Sequence, residues 1–232
     1  QGWQAQNASV STPNAVDSLV NATVDTIESE NDNGNASAID DSTDSLTGCS
    51  STCTLTAGSY YLEEITLSGG DRLELDTSGG TIAIAVDGDV DVAGEYAISA
   101  TDDSRVNFYV TGNVEIGDGN DNTNPTVNVE NDRTDKLWVY MRSDRSILFK
   151  QHSKFQGVIY GPGRGENPGV SINYNNHAEI WGALVGDVPV LENQLILHYD
   201  EAVGDAESVQ EFYDIPALTY LHVTVNPINI SS

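Results

Sequence analysis

The side chains that could do chemistry in this sequence are mostly oxygen-bearing. Asp118, Asn120 and Asn122 alternate in Asp-Gly-Asn-Asp-Asn-Thr-Asn, which sets oxygen ligands at every second position, the donor type calcium prefers. A helix–loop–helix calcium loop would need Gly at its sixth place and Glu at its twelfth, and Thr123 and Val129 stand there instead. The nonapeptide calcium repeat is matched in part at Gly117–Asp121, but once, and it works in tandem copies. Calcium on Asp118, Asn120 and Asn122 is therefore the metal expectation, and a solvated acidic turn is the plainer reading. Asp87, Asp89 and Asp91 also alternate, and on a strand they would share a face.

Other reactive arrangements are weaker. Glu63, Glu64, Asp200 and Glu201 could supply two carboxylates for glycoside hydrolysis, but nothing in the spacing fixes their separation. His198-Tyr199-Asp200 pairs an imidazole with a carboxylate, yet no Gly-x-Ser-x-Gly turn supplies a nucleophile. A structural role fits better: capping the open backbone of a final strand. Gly161–Gly169 is glycine-rich without the Gly-Lys-Ser/Thr of a phosphate loop and reads as an extended turn. Tyr60, Tyr61, Tyr109, Trp138, Tyr140 and Trp181 could stack on sugars, but they lie in strand-like runs where packing is the simpler use. No catalytic residue is assigned, and the chain is not read as an enzyme.

Cys49 and Cys53 are the two cysteines. Zinc would need two further spaced ligands, so a local disulfide is expected, with two free thiols as the alternative. A disulfide suits an extracellular setting. Asn-x-Ser/Thr triplets at Asn7, Asn21, Asn35 and Asn229 are candidate glycosylation sites, although a chain this rich in Asn, Ser and Thr produces such triplets by chance.

The elements that must position these groups are legible from charge and periodicity. The 232 residues hold 36 acidic and 9 basic side chains, a formal charge of −27. That balance argues against nucleic acid, whose phosphates need clustered Lys and Arg. It also disfavours anionic membranes, and no apolar run is long enough to span a bilayer. Self-repulsion of this size is relieved in molar salt, where the Debye length falls to about 3 Å. The chain therefore reads as halophilic, with an acidic cation-binding protein as the alternative. It begins at Gln1, which is consistent with processing that removed a signal or anchor.

Residues 1–54 are polar and acidic. Thr12-Pro13 would start a helix, and Val16, Val20, Val24 and Ile27 recur at helical spacing, which predicts one amphipathic helix near 13–29. Residues 30–48 read as linker. From Leu55 the period changes to two: Ile65/Leu67, Leu73/Leu75, Ile82/Ile84/Val86 and Val90/Val92 alternate with polar residues between Gly/Asp turns. Ile82–Val92 matches Val106–Ile116 at an offset of 24 residues, the signature of stacked coils. The expected fold is all-β, a parallel β-helix (β-solenoid) over 55–203, followed by a cap and C-terminal strand over 204–232. A β-sandwich is the runner-up.

Three stretches carry a resemblance: Phe155-Gln-Gly-Val-Ile-Tyr-Gly-Pro162, His177-Ala-Glu-Ile-Trp-Gly-Ala-Leu-Val-Gly-Asp-Val188 and His198-Tyr-Asp-Glu-Ala202. Together they resemble the C-terminal β-solenoid domain of pilus-biogenesis-associated and haloarchaeal surface proteins. Thr219-Tyr-Leu-His-Val-Thr-Val-Asn226 is similar to the tail of haloarchaeal pilin-like proteins. The resemblance implies an extracellular structural role at the cell surface. Its expected partners are further copies of the chain or other pilus subunits, as a homo-oligomer, with no catalytic residues and no cofactor beyond calcium. The alternative function is a secreted polysaccharide-binding or polysaccharide-degrading β-helix module.

Overall fold

A computed structural model describes residues 15–49, 52–99, 104–117, 126–129, 133–150, 152–163, 168–175, 177–187, 195–200 and 203. Short parallel strands stack into a β-solenoid of three faces. Face one holds β1 (Ser45–Thr47), β4 (Glu64–Leu67), β7 (Val90–Val92), β10 (Val114–Ile116), β13 (Ser146–Phe149) and β15 (Ser171–Tyr174), in that order. Face two begins with β2 (Thr52–Thr56), β5 (Arg72–Asp76), β8 (Glu95–Ser99) and β11 (Thr126–Val129). Face three begins with β3 (Gly58–Leu62), β6 (Ile82–Val86), β9 (Val106–Val110) and β12 (Leu137–Met141). Every pairing between these strands is parallel, which excludes the antiparallel sandwich. The six rungs of face one span about five turns.

The 24-residue repeat is one turn of this coil. Ile82 pairs with Val106 and Val90 with Val114, both at that offset. Alternate residues point inward, so Val, Ile and Leu from successive rungs form one continuous core. Leu46, Leu62, Ile65, Leu73, Ile84 and Ile147 are among its fully enclosed members.

Faces two and three merge in the later turns. β14 (Lys154–Tyr160) pairs with β11 through its first residues and with β12 through its last, and β16 (Glu179–Val185) follows it along its whole length. The corner that earlier turns make with a loop is made here by one residue, Gly157 below Gly182. Both have positive φ, 149° and 126°, which side chains other than hydrogen adopt at a cost. A Cβ on Gly182 would also collide with the Gly157 carbonyl oxygen. The final described strand is β17 (Ile196–Tyr199), paired to β16.

Helix α1 (Ala15–Ser29) lies against the outside of face three. Val16, Val20, Val24 and Ile27 are its buried stripe, as their spacing predicts. The expected Thr12-Pro13 start lies outside the described residues. The helix runs against the direction in which the coils advance. Near its start, both Asp17 carboxylate oxygens accept from Ser143, one from the backbone N–H (2.7 Å) and one from the hydroxyl (2.8 Å). Past its end, Asp32 and Asn33 reach β3 in the first coil.

The stretch 30–48 is not a linker, and the solenoid starts before residue 55. Ala36 and Ile39 close the first end of the core, and β1 pairs with β4. β1 contributes one inward apolar side chain, Leu46, too little to raise a period-two pattern above the polar run around it.

Candidate functional site

The outer side of face three carries a ladder of rings. Tyr61, Ala85, Tyr109, Tyr140 and Tyr160 lie at one register position on successive rungs. Tyr109 and Tyr140 stack at 5.1 Å with planes 10° apart, and Trp138 stacks beside Tyr140 at 5.8 Å. The Trp138 indole N–H donates to the Asp135 carbonyl at 3.0 Å. Helix α1 covers this stripe, so β9 and β12 are buried on both faces. These rings therefore pack and are not offered to sugars. Burial raises the phenol pKa of Tyr61 to about 12, with the Glu28 and Asp87 carboxylates pushing the same way. Burial also raises Tyr109, Tyr140 and Tyr160.

The outer side of face two carries an open groove of about 450 Å³ lined by Thr54, Arg72, Glu74, Asp76, Ala97 and Ser99. The small side chains of Ala97 and Ser99 leave the hollow between the longer ones of the rung before. Its cation is already engaged: Arg72 donates to Glu95 at 2.6 Å and to Glu74 at 3.2 Å. Asp76 accepts from the Ser78 backbone N–H at 2.9 Å, which holds its carboxyl below the usual range, the wrong direction for a general acid. The groove offers hydroxyls and paired charges, the chemistry of polyol contact.

The candidate carboxylates for hydrolysis do not meet. Glu63 and Glu64 are exposed in the early coils, while Asp200 follows the last strand and accepts from the Thr134 hydroxyl at 2.7 Å. Glu201 lies outside the described residues. Asp87, Asp89 and Asp91 do not form a strand face either, since β7 includes only Asp91 of the three. The other two bond to the next turn. Asp87 accepts from the Thr111 hydroxyl (2.8 Å) and Asp89 from the Asn113 N–H (2.7 Å). The Asn113 side-chain oxygen in turn accepts from the Ser146 N–H (3.1 Å). This staple between coils escaped the sequence reading. Its signal was there in the 24-residue offset of Gly88-Asp89 and Gly112-Asn113.

The remaining candidates fall as follows. Asp118, Asn120 and Asn122 lie outside the described residues, as do Asn7 and Asn229. Among the described residues, no three His, Cys, Asp or Glu side chains are grouped to hold a metal ion. Cys49 and Cys53 are joined, with Cα atoms 5.4 Å apart, at the first corner of the solenoid. Asn21 and Asn35 are exposed, one on helix α1 and one in the short turn after it. His198 stacks on Trp181 at 5.0 Å and sets Nε2 3.4 Å from Glu179, a contact to the rung below.

The architecture defines a parallel β-solenoid clasped along one face by an N-terminal helix. Residues 1–206 match the family described as "Domain of unknown function (DUF7305)", and the chain belongs to that family. No curated protein and no solved structure matches it. Among the described residues, no helix is long and apolar enough to cross a membrane.

Proposed function

We propose that this chain is an extracellular structural protein of a halophilic archaeon, a pilin-like or filament-associated component of the cell surface that assembles with copies of itself or with other surface subunits. The observation that carries this reading is the distribution of charge over the solenoid. The net charge is −27, and acids project from every outer surface: Asp91 and Glu115 on face one, Glu74, Asp76 and Glu95 on face two, Asp25 and Glu28 on the helix. Such a shell stays hydrated in concentrated salt, where repulsion between its charges is screened. The Cys49–Cys53 bond suits an oxidising compartment. A coil stapled rung to rung by backbone and side chains, with a helix laid across four of its turns, suits a load-bearing or displaying role.

Electron microscopy of source cells with gold-labelled antibody against the purified chain tests the proposal. Label on the envelope or on surface filaments supports it, and label confined to the cytoplasm overturns it. The groove on face two favours a second reading, a polysaccharide-binding module. Calorimetric titration with acidic and neutral oligosaccharides in molar KCl tests that reading, and binding abolished by Arg72→Ala would support it.

A further inference from the structure

Among the described residues, the solenoid is closed at its first end and open at its last. At the first end, Asp32 and Asn33 engage the backbone of β3, and Asp40 bridges Ser45 beside β1. At the other end, the inward column of face two runs Cys53, Leu73, Tyr96, Val127, Phe155, Ile180, Leu197, each one rung above the last. Ile180 is fully buried, but Leu197 is 43% exposed, flanked by Ile196 at 49% and Tyr199 at 50%. These three are the exposed large hydrophobic side chains among the described residues. The Ile196 N–H donates back to Ala178 at 3.0 Å. In a parallel ladder successive residues face opposite sides, so the peptide groups of Leu197 and Tyr199 face away from β16. A row of backbone groups without a partner strand among the described residues, beneath apolar side chains, is an acceptor for one more strand.

The same chain carries a matching donor. Leu218, Tyr220 and His222 alternate with Leu221, Val223 and Val225, a segment that reads as a strand with two usable faces. Strands of face two start at intervals of 17 to 31 residues, and Leu218 follows Ile196 by 22. Val203 packs against the cluster beneath helix α1, which tethers the intervening chain to the body of the solenoid. The 14 residues from 204 to 217 can reach about 46 Å when extended, enough to return to the edge. A tether of that length gives an effective concentration in the millimolar range, which a second copy at micromolar concentration does not match. We infer that residues 218–225 add to the open edge of β17 in the same molecule and close the last turn of face two.

This inference goes beyond the surface-protein reading and is tested apart from it. Hydrogen exchange of peptides covering 195–200 is measured in molar KCl for the full chain, for a chain ending at Ala217, and for the full-length double variant Leu221→Asp/Val223→Asp, with mass by light scattering. The expected result is exchange at least ten-fold faster in both altered chains, a monomeric mass for the full chain, and protection independent of concentration. Full-length Ser231→Asp should exchange like the parent. Equal exchange in all four chains overturns the inference. Protection that rises with concentration alongside a dimeric mass also overturns it and assigns the edge to a second copy, an outcome under which the surface-assembly reading still stands.

Discussion

Replacing Asn33 with alanine should open the first edge of the solenoid. Its side chain, 4% exposed, behaves as one residue of a neighbouring strand. Nδ2 donates to the Tyr61 carbonyl at 2.6 Å and Oδ1 accepts from the Tyr61 N–H at 3.1 Å, while Nδ2 also donates to Asp44 at 2.9 Å. Alanine leaves a buried N–H and a buried C=O without these partners. Each such group costs about 1–3 kcal/mol, so the expected loss is about 2–4 kcal/mol once partial access by water is allowed. Aspartate tests the direction of the bonds. It still accepts from the Tyr61 N–H, but it turns a carboxylate toward the Tyr61 carbonyl and toward Asp44, so Asn33→Asp should lose as much at neutral pH and regain part of it on acidification. The assay is urea unfolding in molar KCl, with hydrogen exchange at Tyr61 as the local readout. A loss below about 0.5 kcal/mol for Asn33→Ala, the range of an ordinary surface change, would refute the reasoning. So would an Asn33→Asp protein as stable as the parent.

Three further outcomes are expected. The melting temperature followed by circular dichroism should fall as KCl is lowered from molar to tens of millimolar, because 36 acids face 9 bases and screening is withdrawn; a constant value would remove the halophilic reading. Alkaline pH should unfold the protein: the phenols of Tyr61, Tyr109, Tyr140 and Tyr160 are raised in the folded state, so their contribution is fully present below the free phenol pKa of about 10 and is lost as pH rises from there through the folded values, about 12 for Tyr61. Phenolate absorbance from the ladder, read as the difference between the parent and a Tyr109→Phe/Tyr140→Phe variant because exposed tyrosines such as Tyr199 also contribute, should rise together with the loss of circular dichroism, and ladder phenolate forming in a still-folded protein near pH 10 would contradict the burial of the ladder. Gly182→Ala should cost about 3 kcal/mol or more in urea unfolding, since it combines a φ of 126° with a collision against the Gly157 carbonyl, whereas alanine at Gly34, where a Cβ meets open space, should be near neutral.

Local pattern was enough to determine much of this protein. Val16, Val20, Val24 and Ile27 at helical spacing specified α1 and the face it buries, because one side of a helix is set by 3.6-residue geometry alone. Period-two runs and the 24-residue offset specified parallel coils, because a repeat of one turn places like above like. Other features depend on which surfaces meet, and no local pattern records that. The rings of Tyr61, Tyr109, Trp138 and Tyr140 stand in strand-like runs where packing is the simpler use, but what they pack against, helix α1, is not written in those runs. Asn33 stood in a polar run that resembled a linker, and its work as a strand substitute depends on β3, some 28 residues onward. Gly157 and Gly182 belong to different turns of the chain, and the collision that bars a side chain at Gly182 arises only when it is stacked on Gly157. Leu46 is a single apolar residue among polar ones, and only the rung above it makes it core. Periodicity is a property of one segment and survives in sequence. Coverage, stacking and edge closure are properties of two segments brought together, and the chain states them only once it is folded.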